Sequence, residues 1–203
     1  MLLKIGITGG IGVGKSIVCK IFASLQIPIY DADTRAKYLM VNDLALIDAI
    51  KTSFGETAYT ANQQINRDFF VQQVFGNPQT AKQLESLVHP AVKKDFENWV
   101  LQQDNITKYV LKEAALLYES NSYQELDKII VVTADKNIRI QRILQRDTHR
   151  NQAQIEAIMA KQLPEEEKIA KADFVIHNNG TELLIPQVIE IHQQIIKLHT
   201  KLN

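Results

Sequence analysis

The 203 residues suffice for one domain with a substantial hydrophobic core, and their 23 basic and 23 acidic side chains give a formal net charge of zero. This balance argues against binding to nucleic acid or to an anionic membrane surface. The single cysteine, Cys19, excludes an internal disulfide and a zinc site built from cysteines. No apolar run approaches the ~18 residues of a membrane span, and no signal peptide is recognisable, so we expect a cytoplasmic protein.

The first predicted strand leads into a complete phosphate-binding loop. Residues 4–8 are apolar and β-branched, as is typical of a buried parallel strand. Residues 9–16 read G-G-I-G-V-G-K-S and match the pattern G-x-x-x-x-G-K-[S/T]. The apolar residues that follow recur at helical spacing: Val18, Ile21, Phe22 and Leu25. Strand, glycine loop and helix together predict an enzyme that uses a nucleoside triphosphate.

Each fixed position of this loop has a chemical role. The glycines allow a tight turn that points consecutive backbone N–H groups at the phosphates, and the helix that starts here adds its positive end. Lys15 is predicted to reach the β- and γ-phosphates, and the Ser16 hydroxyl to hold Mg²⁺. The predicted nucleotide contacts in the loop are Gly10, Ile11, Gly12, Val13, Gly14, Lys15, Ser16 and Ile17.

A second short strand, predicted over residues 27–30, ends at two neighbouring carboxylates, Asp31 and Asp33. Ligands bind beyond the carboxyl ends of the strands in open α/β sheets. A carboxylate there can accept the proton of an attacking hydroxyl and orient that hydroxyl toward the γ-phosphate. In the alternative interpretation, Asp33 or Thr34 only caps the helix that continues to Met40. The neighbouring phosphate loop favours the catalytic interpretation.

Residues 43–104 are mostly helical by their apolar spacing. We predict one helix that ends at Gly55, a second that ends at Gly76, a third that ends at His89-Pro90 and a fourth after it. His89 is interpreted either as a structural residue or as part of the cleft for the phosphoryl acceptor. Because this stretch interrupts the alternation of strands and helices, we expect an inserted helical substrate lobe at about 41–104.

Strands and helices alternate again in the remaining half of the chain. Strands are predicted at 109–111, 129–132 and 174–176, and helices at 136–146, 152–162, 164–171 and 181–198. Pro186 predicts a late start or a kink in the last helix. The alternation indicates one α/β domain, a parallel sheet flanked by helices. We expect its core at about 1–40, 105–137 and 172–203, and a lid at about 138–171.

Charged residues on the last three strands and their helices add to the predicted site. Arg139, Arg142 and Arg146 share one face of a predicted helix, and guanidinium groups neutralise the charge of a phosphoryl in transfer. The stretch ending at Arg150 breaks that helix and is typical of a mobile flap that excludes water. An ordinary solvated helix face is the alternative. Glu113 is interpreted either as a ligand that holds Mg²⁺ through water or as a strand-end charge.

Six motifs in this order resemble the dephospho-coenzyme A kinase family over nearly the whole chain. They are residues 8–16, Asp31-Ala32-Asp33, His89-Pro90, Leu116-Leu117-Tyr118-Glu119, Gln141-Arg142 with Arg146-Asp147, and Asn178-Asn179-Gly180. Two positions depart from the family's pattern. Ile17 stands where Thr is common, and Ala114-Ala115 replaces an apolar-Pro pair.

The resemblance implies a P-loop fold like that of nucleoside monophosphate kinases, with a core, a CoA-binding lobe and a lid. It implies ATP with Mg²⁺, and transfer of the γ-phosphoryl to the 3′-hydroxyl of the dephospho-CoA ribose, the last step of coenzyme A biosynthesis. It also implies that Asp33 is the base, that Arg142 and Arg146 are lid arginines, and that Asn178 lies near the adenine. The predicted catalytic residues are therefore Asp33, Lys15, Arg142 and Arg146.

Two alternative functions share the phosphate loop. Another P-loop small-molecule kinase or a nucleoside monophosphate kinase would differ only in its acceptor lobe. A guanine-nucleotide switch would need an Asn-Lys-x-Asp motif at a strand end, and residues 132–136 do not supply one. We expect dephospho-CoA and ATP as partners, no nucleic acid or membrane, and a monomer or weak homo-oligomer.

Overall fold

The computed structural model describes residues 2–74, 77–104 and 106–202. The chain divides into two compact units. One unit combines Met1–Asp31 with Asp104–Asn203, and the other consists of Ala32–Gln103. Within the described ranges, no helix is both long and apolar enough to cross a membrane.

The first unit is built on a parallel β-sheet. Across the described residues, its strands are β1 (Leu3–Thr8), β2 (Ile29–Asp31), β3 (Tyr109–Glu113), β4 (Lys128–Thr133) and β5 (Phe174–His177). They lie in the order β2-β3-β1-β4-β5, and every neighbouring pair is parallel. The predicted strands and the predicted parallel α/β sheet are confirmed. Because all strands run the same way, their carboxyl ends meet at one edge of the sheet.

Helices in chain order follow the predicted pattern closely. They are α1 (Lys15–Ser24), α2 (Ala32–Asn42), α3 (Leu44–Phe54), α4 (Arg67–Val74), α5 (Pro78–Leu101), α6 (Lys136–Arg146), α7 (Gln152–Ala160), α8 (Glu165–Ala170) and α9 (Leu184–Leu202). Pro186 lies in the first turn of α9, where backbone N–H groups have no intrahelical acceptor. The predicted late start of this helix is therefore confirmed.

The sheet is buried by helices that pack against it. Ile5, Ile7 and Ile130 are fully buried in the strands, and they share one apolar cluster with Phe22 of α1 and Ile195 of α9. Strands of this kind are covered on both faces, which explains why they appear in the sequence as short continuous apolar runs. This packing holds β1, the middle strand of the sheet, in place, and the loop follows at its carboxyl end.

The second unit is helical and contains α2 to α5. Within it, Arg35 of α2 donates two hydrogen bonds to Asp95 of α5, at 2.8 and 2.6 Å. Gly55 ends α3 with a φ of 86°, as predicted, and its N–H donates to the Lys51 carbonyl. The predicted stop at Gly76 lies outside the described residues, and Asn77 caps the next helix by accepting from the backbone of Gln79 and Thr80.

Two local predictions in this unit are wrong. The predicted break at His89-Pro90 does not occur, because α5 runs through Pro90. The bond lost at Pro90 is offset by an apolar face that continues through the helix at four-residue spacing and is buried at Val88, Val92 and Phe96. The predicted cap at Asp33 or Thr34 is also wrong, because α2 begins at Ala32 and both residues lie in its first turn.

Candidate phosphate-binding site

The carboxyl edge of the sheet gathers the phosphate loop with several strand-end residues of the same unit. β1 ends at Thr8, directly before the loop. Ile7 of β1 and Asp31 of β2 both lie opposite Glu113 of β3 in the strand register. Asn178 follows β5 directly. The topology thus brings together chain segments that are far apart in the sequence, at the edge where ligands bind in such sheets.

The loop turns into α1 through a residue that must be glycine. Gly14 has a φ of 87°, in the left-handed region, and a Cβ there would lie 2.3 Å from Nδ2 of Asn178. Among the described residues, no side chain caps α1, so its first backbone N–H groups are left for another acceptor. The helix begins at Lys15, and Ser16 is exposed. A helix start of this kind provides a binding site for an anion such as a phosphate.

Asn178 supports the loop from the end of β5, which is separated from β1 by β4 in the sheet. Its side chain is buried and donates from Nδ2 to the Val13 carbonyl at 2.7 Å, while its backbone N–H donates to the Thr133 carbonyl. Its Oδ1 accepts a longer hydrogen bond, 3.4 Å, from Arg142. Asn178 therefore links the loop to the predicted lid arginine. Its contact with the nucleotide stays a prediction.

Lys15 forms an ion pair with Glu113, and neither side chain is more than 15% exposed. Burial, followed by the charge of the same carboxylate, raises the pKa of the Cys19 thiol. Cys19 is therefore a protonated packing residue. The Glu113 carboxylate faces the loop lysine in this structure, an arrangement that neither sequence interpretation of Glu113 included.

The three arginines of α6 have different environments. Arg139 is buried, and its Nε donates to the Ile11 carbonyl at 2.9 Å, so the alternative of a solvated face is wrong for this residue. Arg142 lies next to Asn178, and its Nη1 is buried with no hydrogen-bond partner within the part of the chain that is described. Arg146 is exposed and donates to its neighbour Asp147. Of these three described arginines, Arg142 is the one with a buried donor that has no hydrogen-bond partner.

Four further residues considered for the site lie at exposed positions, whereas Gly10 and Val13 of the loop are buried. Asp31 is exposed at the end of β2 in the first unit, and Ile17 is exposed on α1. In the second unit, Asp33 is exposed in the first turn of α2, and His89 is exposed on α5. Over the described ranges, no group of three or more His, Cys, Asp or Glu side chains could hold a metal ion. A metal here would need ligands from a bound molecule.

Two residues that support the loop were missed in the sequence: one contacts the loop directly, and the other holds Arg139, which contacts it. Gln162, between α7 and α8, accepts from the Ile11 N–H through Oε1 at 2.9 Å. Glu165, in the first turn of α8, accepts from Nη1 of Arg139 at 2.8 Å. No local pattern marks either residue, because each acts across more than twenty positions of the chain.

Comparison with known proteins gives a consistent result. The family model described as dephospho-CoA kinase matches residues 3–183. A dephospho-CoA kinase from Gamma-proteobacterium EBAC31A08 is 36% identical, with 97% of this chain and 95% of the relative covered. Among solved structures, a Thermus thermophilus protein is 27% identical with a TM-score of 0.81 and 97% of both chains covered. The dephospho-CoA kinase from Campylobacter jejuni is 28% identical with a TM-score of 0.70, covering 97% of this chain and 98% of its own.

These matches extend over nearly the full length of the chain, as the six motifs predicted. They include structures whose sheet and helices superimpose on the fold described above. The predicted P-loop kinase fold and the predicted phosphotransferase are confirmed, and the chain belongs to the dephospho-CoA kinase family.

Proposed function

We propose that this protein transfers the γ-phosphoryl group of ATP to the 3′-hydroxyl of the dephospho-CoA ribose, releasing ADP and CoA. The observation that carries the proposal is the complete phosphate loop, which leads into an uncapped helix at the carboxyl edge of the sheet. The loop accounts for the phosphoryl donor, and family membership supports the acceptor. ATP as substrate favours the cytosol as the place of the reaction.

The phosphates are proposed to bind in the loop. The backbone N–H groups at the start of α1, together with Lys15, would meet the β- and γ-phosphates. In the protein alone, the Lys15 ammonium pairs with Glu113. A triphosphate carries several negative charges against the single charge of that carboxylate, so we expect Lys15 to turn toward the nucleotide when ATP binds.

Mg²⁺ is proposed to accompany ATP. The exposed Ser16 hydroxyl fits this ion, because Mg²⁺ takes oxygen ligands, retains several waters and is often bound through substrate phosphates with few protein groups. When bound, the ion would neutralise charge on the phosphates. Ser16 would hold it beside the N-terminus of α1, and Lys15 would orient the terminal phosphate.

The acceptor side is proposed to involve the helical unit and Asp33. The helical unit, Ala32–Gln103, overlaps the predicted CoA-binding lobe at about 41–104 and also includes Asp33. Asp33 is proposed to accept the proton of the ribose hydroxyl, and Asp31 is the alternative base. A carboxylate in this role must be within reach of a substrate that binds from solution. Both aspartates are exposed, which fits this requirement.

Arg142 and Arg146 are proposed to act from the lid, at about residues 138–171. The buried, unpartnered Nη1 of Arg142 supports its role, since within the described residues this donor has no acceptor until an anion arrives. A guanidinium group that meets a phosphoryl oxygen offsets charge in the transition state. Arg146 lies one helical turn further along α6 and is held by Asp147.

Arg142→Ala is expected to lower kcat on the order of 10²-fold, as the loss of one transition-state donor does, with a smaller change in the KM for dephospho-CoA. Arg146→Ala is expected to have a weaker effect, because its guanidinium is exposed. Steady-state kinetics with thermal melting measure both variants. Lys197→Ala serves as control, since Lys197 is exposed on α9 beside the starts of β4 and β5. Wild-type kcat in both arginine variants would remove the lid from the mechanism.

A coupled assay of ADP release tests the acceptor. ATP is offered with dephospho-CoA, with a panel of nucleoside monophosphates, and with adenosine. We expect turnover with dephospho-CoA and little with the other compounds. Turnover with a nucleoside monophosphate and none with dephospho-CoA would overturn the acceptor and favour a nucleoside monophosphate kinase.

A further inference from the structure

Ile11, the third residue of the phosphate loop, is held on three sides by the segment that contains α6, α7 and α8. Its N–H donates to Oε1 of Gln162 and its carbonyl accepts from Nε of Arg139, both at 2.9 Å. Its side chain packs against a small apolar cluster formed by Ile140, Ile143, Ile155 and Met159. Both polar groups of this residue, together with its side chain, are therefore engaged by residues that follow it by more than 120 positions.

Gln162 itself is held firmly in the connection between α7 and α8. The next residue, Leu163, donates its N–H to Oε1 of Glu119 at 2.7 Å. Lys168 of α8 is fully buried, and its Nζ lies 3.7 Å from the same carboxylate oxygen. The 2.7 Å hydrogen bond from Leu163 ties the connection to Glu119, and the longer ion pair with Lys168, which lies beyond hydrogen-bond distance, adds to it. The Gln162 carboxamide is thus presented to the loop from a rigid support.

Arg139 is held in the same way. Glu165 accepts from its Nη1, and a Cβ on Gly10 would lie 2.2 Å from its Nη2. The guanidinium therefore packs directly on the backbone of Gly10 while it binds the carbonyl of Ile11. Gly10 and Ile11, two successive residues of the loop, therefore both contact the buried Arg139.

The loop needs such support because its backbone is flexible at this point. Ile11 stands between Gly10 and Gly12, and Gly12 has a φ of 83°. Glycine has a wide range of allowed φ and ψ angles, so the peptide groups next to it can rotate unless other contacts hold them. A rotation of the Ile11 peptide would also turn the N–H groups that follow it in the loop.

We propose that Gln162 is a positioning residue for nucleotide binding, which fixes the Ile11 peptide and thereby orients the loop N–H groups toward the phosphates. The proposal rests on the assignment of ATP to this loop, and it adds that the α7–α8 connection sets the conformation of the loop. Gln162 acts through Ile11, and no contact of Gln162 with the nucleotide is needed.

Gln162→Met tests the proposal, because it keeps the length of the side chain and removes the amide acceptor. Loss of this hydrogen bond is expected to raise the KM for ATP and to lower kcat/KM for ATP about 10-fold, with the KM for dephospho-CoA changed by less than about twofold. Hydrogen exchange at the Ile11 amide of the nucleotide-free protein is expected to accelerate by roughly the same factor. The melting temperature is expected to stay close to that of the wild type.

Two further variants complete the design. Gln162→Glu retains an oxygen acceptor and is expected to restore slow exchange at Ile11 in the nucleotide-free protein. Gln145→Ala, on the exposed face of α6, is expected to match the wild type in every measurement. Wild-type exchange at Ile11 and unchanged ATP kinetics in Gln162→Met would overturn the proposal. The proposal would also be overturned if kcat/KM fell equally for both substrates while the melting temperature fell, because this result would indicate a general structural role.

The exchange measurement and a calorimetric titration with ATP need no phosphoryl acceptor. If the wild type failed to phosphorylate dephospho-CoA, the acceptor in the proposed function would be wrong, whereas these two measurements would still decide the role of Gln162.

Discussion

Asp33→Asn is expected to lower kcat roughly 10²–10⁴-fold, the contribution of a positioned proton acceptor. The ribose hydroxyl is a poor nucleophile at neutral pH, and asparagine keeps the size and polarity of the side chain while it removes the basic carboxylate. The phosphate loop and the proposed Mg²⁺ ligand do not include this residue, so ATP affinity should stay near that of the wild type. Steady-state kinetics give kcat, and calorimetric titration gives the ATP affinity.

Asp31→Asn is the matched control, because Asp31 is also exposed and lies two residues earlier. Its effect is expected to be much milder. A larger loss in Asp31→Asn than in Asp33→Asn would assign the base to Asp31. Equal, near-wild-type rates in both variants would mean that catalysis rests on positioning and charge alone.

Lys15→Ala is expected to lower kcat about 10²–10³-fold, because a charge-assisted contact with the phosphates is lost in the transition state. The fold should persist, because Lys15 lies at the start of α1 and its ammonium pairs with the Glu113 carboxylate rather than packing in the apolar core. Thermal melting checks the fold, and initial rates with saturating ATP and dephospho-CoA measure the loss.

Glu113→Gln breaks the same ion pair but keeps the ammonium. If Lys15 acts on the phosphates, kcat of this variant should fall by no more than roughly tenfold, which corresponds to about 1.4 kcal/mol in activation free energy. A folded Lys15→Ala protein with near-wild-type kcat would contradict the role of Lys15. An equal loss in both variants would show that the ion pair itself, or the carboxylate, is what catalysis requires.

The elements that the sequence predicted correctly are those set by local chemistry. The strands of the sheet are short apolar runs because helices cover both of their faces, and this pattern is visible without the structure. The phosphate loop is equally local, since Gly14 must adopt a positive φ directly before Lys15. The helix end at Gly55 follows from the same property of glycine.

The predictions that failed depend on packing between distant parts of the chain. Pro90 was expected to end a helix, but the buried face of α5 continues past it and outweighs one lost hydrogen bond. For Arg139 the alternative of a solvated helix face is wrong, because its side chain is buried against Ile11 and Glu165. Side chains that meet only after the sheet has formed carry no local pattern, which is why Glu113 and Gln162 were not recognised as partners of the loop.

We expect the γ-phosphoryl group to go to the 3′-hydroxyl of dephospho-CoA. The most direct measurement incubates the protein with ATP labelled at the γ-phosphate and either dephospho-CoA or its 3′-deoxyribose analogue, and then separates the labelled products. We predict labelled CoA from dephospho-CoA and no labelled product from the analogue. Transfer of label to the 3′-deoxy analogue would rule out the 3′-hydroxyl as acceptor. Failure to label dephospho-CoA, by protein that binds ATP, would rule out dephospho-CoA as the substrate.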